Sequence, residues 1–173
     1  AGASTLKRVF EHYSHPVCYC VEIRRSPLYP ALTPPRSSDE AAHGPVDYEI
    51  VIHAPLQVTN YLAEEAHFDL VHARTEILLW THTIAAGRSV PVHTIGLDVP
   101  LALRVSIPGY CHSVEGPALV HDEETIGAVD VNTHATVADE LGQKLHICVS
   151  SRVGGGGQRR LIAYVPFWMV NCT

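Results

Sequence analysis

Residues 51–61 read VIHAPLQVTNY, and residues 162–172 read IAYVPFWMVNC. These are one pattern written twice. Pro55 pairs with Pro166 and Asn60 with Asn171, each at a spacing of 111 (166 − 55 and 171 − 60). Ile52, Leu56 and Val58 answer to Ala163, Phe167 and Met169, so the apolar alternation is kept. A repeat of this length is a whole small module, not one turn of a solenoid. The expected organisation is a leader strand region over 1–25 and a Pro-rich loop or linker over 26–45. One repeat module follows over 46–165, and the next repeat opens over 166–173.

Composition bounds the function. A chain of 173 residues is long enough to bury a core. Apolar residues make up 46% and charged residues 17%, with a formal net charge of −6. That balance argues against a nucleic-acid binder and offers no general basic attraction to anionic lipid. No apolar run reaches the ~18 residues of a membrane-spanning helix. The five cysteines are an odd number whose spacing matches no secreted disulfide framework. Free, mostly buried thiols in a reducing compartment are expected.

Strand patterns run through nearly the whole chain. Residues 17–24 alternate around Val17, Tyr19, Val21 and Ile23. Residues 26–45 carry Pro27, Pro30, Pro34, Pro35 and Pro45 and read as a loop. Strands are expected at 46–53, 56–60, 67–72, 76–84, 89–95 and 101–107. The pairs 67–72 and 76–84 form a hairpin, and Ala86-Gly87-Arg88 is a turn. A short strand near 117–120, a strong one at 143–150 and a last one at 159–165 complete the series. Gly154 to Gly157 read as a flexible hairpin loop with a solvated flank at Gln158-Arg159-Arg160. No segment sustains a helical period. The fold class is therefore all-β, a β-sandwich or barrel module of a tandem array.

The repeated element and the segments after it carry a family resemblance. Ala54-Pro55-Leu56-Gln57-Val58-Thr59-Asn60 precedes Ile77-Leu78-Leu79-Trp80 and then Gly87-Arg88-Ser89-Val90-Pro91-Val92-His93. Leu101-Ala102-Leu103-Arg104-Val105, Ile107-Pro108-Gly109-Tyr110 and the closing Tyr164 to Asn171 segment complete the order. This resembles the adaptor-binding β-repeat region of the vacuolar protein sorting-associated protein 13 family of bridge-like lipid transfer proteins. The likeness covers about residues 48–110 and 143–173. Residues 28–45 and 111–142 match nothing in it and are expected to be loops or insertions.

The resemblance implies a role without chemistry. It implies a non-enzymatic docking module, with no cofactor, that helps place a large lipid-transfer protein at membrane contact sites. Its partners would be organelle-bound adaptors, bound through short proline-containing peptides, and neighbouring modules of the same chain. The location would be cytoplasmic, with membrane met only indirectly. Asn60 and Asn171, with Pro55 and Pro166, would be the repeat signature.

The same residues have a reading of their own. Each asparagine ends an alternating strand where the chain must turn, and its amide can bond the local backbone. The same amide could instead meet the backbone of an added peptide strand. Proline, lacking an N–H, marks a strand that switches sheets or starts anew. Trp80, Tyr110, Phe167 and Trp168 are expected in the core or between modules.

Twelve histidines raise the rival of a cupin-like metal-dependent β-barrel enzyme. Such a site needs His-x-His and a downstream Glu around one ion. Gly87 to His93 begins that way, but position 95 is Ile. His82 and His93 could face each other across a hairpin, which is still too few ligands. Neither a Gly-x-Ser-x-Gly elbow nor a phosphate loop is present. A purely structural spacer remains the other alternative.

Overall fold

Runs of alternating apolar residues become strands along most of the described chain, and even β-strand edges admit proline, as at Pro27 and Pro91. The computed structural model describes residues 17–27, 46–111, 117–121 and 130–166. The Pro-rich segment 28–45, Asp122 to Glu124, and Phe167 to Asn171 lie outside these described residues, and with them Trp168 and the second asparagine. The strands are β1 (Cys20–Pro27), β2 (Val46–His53), β3 (Leu56–Tyr61), β4 (Ala66–His72), β5 (Leu78–Ile84) and β6 (Ser89–Val92). They continue as β7 (Leu101–Ser106), β8 (Tyr110–Cys111), β9 (Ala118–His121), β10 (Val131–Asp139), β11 (Lys144–Val153) and β12 (Arg159–Tyr164).

Two sheets form a β-sandwich, the sandwich and not the barrel of the two folds the strand pattern allows. One has the order β6-β3-β12-β11-β10-β8, the other β5-β4-β7-β9. Leu56, Val58, Val137, Ile147, Val149 and Leu161 from the first sheet meet Phe68, Leu70, Leu103, Val105 and Val120 from the second. All of them are shut off from solvent. Burying a side chain of this size stabilises by roughly 1.5–3 kcal/mol, so this shared face dominates the fold.

Among the described residues, all strand pairings are antiparallel except one. β12 lies parallel to β3, with Arg159 opposite Leu56 and Tyr164 opposite Tyr61. The first and last strands of the module are thus neighbours running the same way. Pro55 and Gln158 share one pole; Asn60 and Val165 share the other. The chain enters at the first pole and leaves at the second, about 20 Å away at the usual strand rise.

The segment 111–142 departs from its expected loop character. β10 is a nine-residue strand in the large sheet, paired with β11 from Val131↔Ser151 to Ala138↔Lys144. Its core-facing positions are Ala135 and Val137, and Thr136 is buried too. Short and polar side chains weaken the apolar signal that marks a strand in sequence. A smaller difference is β6, which stops at Val92 rather than running to Ile95. The His93 carbonyl instead accepts the N–H of Cys18 at 2.6 Å.

β1 and β2 form a separate two-stranded sheet. Its contact with the sandwich is the glycine run, which is not a free loop. Gly155–Gly157 makes a short 3₁₀ turn, and Gly156 is buried at φ 63°. A Cβ on Gly156 would lie 3.2 Å from the backbone of Val21 and Glu22. The backbone therefore approaches β1 as closely as only glycine allows. Gly156→Val is expected to cost roughly 1–2 kcal/mol from the left-handed backbone alone. Hydrogen exchange should then quicken in 20–27 and 46–53 while the sandwich core keeps its protection. Unchanged exchange in the hairpin would remove this role from Gly156.

Candidate functional site

The repeat signature occupies both poles of β3. Pro55 sits between β2 and β3, where the chain passes from the two-stranded to the six-stranded sheet. A residue without an N–H leaves no unpaired donor at that switch. Its carbonyl accepts the N–H of Arg159 at 2.8 Å, and the Ala54 carbonyl accepts Nε2 of Gln158 at 3.0 Å. Gln158 and Arg159 are buried, not a solvated flank. Burial pushes the Arg159 guanidinium down from its ordinary value, and Asp130 opposes that shift. The sequence signal for this is their place at the start of β12, where the chain leaves the glycine turn and enters the sheet.

Asn60 lies at the other pole and is fully buried. Its Nδ2 donates to the carbonyls of Glu64 and Ile84, both at 2.8 Å. Its Oδ1 accepts the N–H of Leu62 at 2.9 Å. The backbone of Asn60 also bonds Arg88 and Gly87 in the β5–β6 turn. One side chain thus closes its own corner and ties β3, in the large sheet, to the end of β5, in the small one. All the hydrogen-bonding capacity used is backbone-directed, so the amide is engaged inside the module.

Beside this corner is an open groove lined by Tyr61, Leu62, Ala63, Gly87, Tyr164 and Val165. Tyr61 is exposed on its rim. Pro166, exposed, marks the chain's departure from the same pole. A second apolar surface is the edge strand β5, where Ile77, Leu78 and Leu79 are exposed and Trp80 stacks on His82 at 5.7 Å. Trp80 and Tyr110 pack against the core from its margin.

The described histidines do not converge. β5 carries His82 in the small sheet, whereas His93 follows β6 in the large one, so the two do not face each other across a hairpin. His67 bonds Thr83 and Thr81, His134 meets the Cys148 thiol at 3.4 Å, and His121 meets the Leu97 carbonyl at 3.0 Å. Among the described residues, no three His, Cys, Asp or Glu side chains gather as metal ligands. Elemental analysis should therefore find well under one zinc, iron or manganese per chain, and chelation should leave the unfolding midpoint unchanged. A stoichiometric metal lost in His93→Ala would contradict this. Cys18, Cys20 and Cys148 are free thiols. Burial, then the neighbouring Cys18, pushes the Cys20 thiol up.

One polar cluster is only half legible in the sequence. At the entrance pole, Glu22 Oε2 accepts from Arg24 at 2.9 Å and lies 3.1 Å from His53 Nε2. The Arg24 hydrogen bond, with help from His53 and against some desolvation, holds the Glu22 carboxyl below the usual carboxylate range. A lowered folded pKa gives stability that is present above the unfolded value, about 4.3, and is lost as pH falls through the folded one. Acidification below pH ~4 should therefore loosen the Glu22–Arg24 and Glu22–His53 contacts inside the β1–β2 hairpin. NMR or amide exchange over 20–27 and 46–53 reads this, and Glu22→Gln should abolish the pH step. Strand alternation puts Glu22 and Arg24 on one face legibly, but the meeting with His53 depends on the register of the hairpin.

The family comparison fits this geometry. The family model described as vacuolar-sorting associated protein 13, adaptor binding domain, matches residues 43–173. The match takes in Pro55, Asn60 and every strand from β2 onward. No curated protein matches the chain. No helix among the described residues is long and apolar enough to cross a membrane. With well over half its length covered, the chain belongs to the vacuolar-sorting associated protein 13 adaptor binding domain family.

Proposed function

We propose that this module docks short proline-containing segments of organelle-bound adaptors and so helps recruit a lipid-transfer protein to membrane contact sites. The observation that carries the reading is the adaptor-binding family match over 43–173. The groove at the Asn60 pole supports it, because Tyr61 and Tyr164 offer flat faces of the kind on which proline rings pack. In this reading Asn60 acts indirectly. Its amide holds the 61–64 corner that forms one wall, and Pro55 sets the start of β3. Pro166 and Asn171 repeat this pair in sequence at the 111 spacing. The protein works in the cytoplasm and reaches membrane only through its adaptor.

The test is fluorescence anisotropy of labelled Pro-x-Pro peptides with the native protein. Saturable binding is expected, weakened about tenfold by Tyr164→Ala, since a lost apolar anchor is worth ~1–2 kcal/mol. Binding unaffected by both Tyr61→Ala and Tyr164→Ala moves the site elsewhere. No binding at all favours a purely structural spacer. That second reading has its own support: the groove stands at the pole where the chain departs, so a following module would stand close to it.

A further inference from the structure

The β1–β2 hairpin is a second copy of the β11–β12 hairpin. In β1, Cys20-Val21-Glu22-Ile23-Arg24 repeats the Cys148-Val149-Ser150-Ser151-Arg152 of β11 at a spacing of 128 (148 − 20). β2 repeats β12 at the 111 spacing of the Pro/Asn element (164 − 53). The pairing register is the same in both. Cys20 stands opposite His53 as Cys148 stands opposite Tyr164, and Ile23 opposite Ile50 as Ser151 opposite Leu161. The two spacings differ by 17 (128 − 111), and the difference falls in the connection between β1 and β2.

The two copies differ in what covers them. Val149, Ser151, Arg159, Leu161 and Ala163 form the core face of β11–β12 and are all buried. Their counterparts are Val21, Ile23, Tyr48, Ile50 and Ile52. Tyr48, Ile50 and Ile52 are about two-thirds exposed, at 67%, 66% and 66%. So the face that is an established interface in one hairpin is open and more apolar in the other. Among the described residues, the outer edges of β1 and β2 are also unpaired. A lone two-stranded ribbon is marginally stable in water. Open sheet edges beside an apolar face mark missing partners.

We propose that β1–β2 is the closing hairpin of a preceding β-sandwich of the same polypeptide, and that the Ile23/Tyr48/Ile50/Ile52 face is part of that sandwich's core. The first strand of that sandwich adds to the free edge of β2 in parallel, as β3 adds to β12. Its counterpart of β10 adds to the free edge of β1. The contact of Glu22 and His53 with the Gly155–Gly157 turn is then the seam between two modules. This reading requires no adaptor binding, and its test measures none.

The experiment compares the 173-residue chain with the protein expressed from its full native reading frame, using hydrogen exchange read by mass spectrometry. Amides of 20–27 and 46–53 should exchange at least about tenfold more slowly in the longer protein, because they join a cooperative core. Ile50→Asp should leave the unfolding midpoint of the shorter chain where it is. In the longer protein it should expose the upstream segment to protease at lower temperature. Equal exchange in both proteins, or equal effects of Ile50→Asp, overturns the proposal. So does a native reading frame with no sandwich-sized segment ahead of Ala1. A shorter chain that dimerises in sedimentation, and becomes monomeric with Ile50→Asp, assigns the face to a second molecule and also overturns it.

Discussion

Asn60→Ala should unfold with a stability loss of about 3 kcal/mol, near 1 kcal/mol for each of the three hydrogen bonds it makes, two of them buried and one partly so. The loss is this large because the partners stay behind. The Leu62 N–H and the Ile84 carbonyl are left in a dry corner where water does not replace the amide. For a chain of this size that is a fall in midpoint of roughly 6–12 °C. Asn60→Asp should be worse than losing the two donors alone. It keeps the Leu62 bond but sets a buried carboxylate against two carbonyl oxygens. Glu64→Ala is the control. Its side chain is exposed and only its backbone carbonyl serves Asn60, so a change within ~0.5 kcal/mol is expected. Denaturant unfolding of the three variants decides the matter. An Asn60→Ala protein as stable as its parent, but unable to bind a Pro-x-Pro peptide, would make the asparagine a binding residue and not a corner.

Which features are legible in the sequence depends on the physics of each. β3, β4, β7 and β11 announce themselves because large apolar side chains alternate at period two along them. The sheet switch at Pro55 is readable because a missing N–H restricts where proline sits. Asn60 stands out only because it recurs. Its spacing gives a corner, but its second bond crosses to Ile84, 24 residues away in the other sheet, which no local pattern encodes. β10 reads as a loop because Ala135 and Val137 fill the core with little apolar bulk. The glycine run is ambiguous for a related reason. Glycine serves both freedom and close approach, and only the backbone of β1 at 3.2 Å distinguishes them. The parallel β3–β12 pair, which sets the polarity of the module, joins residues about a hundred positions apart and leaves no local trace.

Leu161→Ala and Ile50→Ala occupy the same place in successive copies of the repeat (161 − 50 = 111) and should give opposite results in this chain. Leu161 faces the opposing sheet with no exposure, so its truncation leaves a cavity that the sandwich can only partly close. The expected cost is about 3 kcal/mol, within the usual range of roughly 2–5 kcal/mol for such a change. Ile50→Ala removes a similar number of carbons, but from a face already in water, and the change should stay within ~0.5 kcal/mol. Strand propensity does not separate the two, because both positions lie inside paired strands of equal register. Only the covering differs. Urea unfolding, followed by the fluorescence of Trp80 at the core margin, measures both variants against one parent. A loss of about 2 kcal/mol or more for Ile50→Ala, on the scale of a buried truncation, would mean that its face is already covered in this chain. A loss below about 1 kcal/mol for Leu161→Ala would mean that β12 is not held between β3 and β11 as the core requires. The first outcome would remove the need for an upstream partner, and the second would undo the sandwich itself.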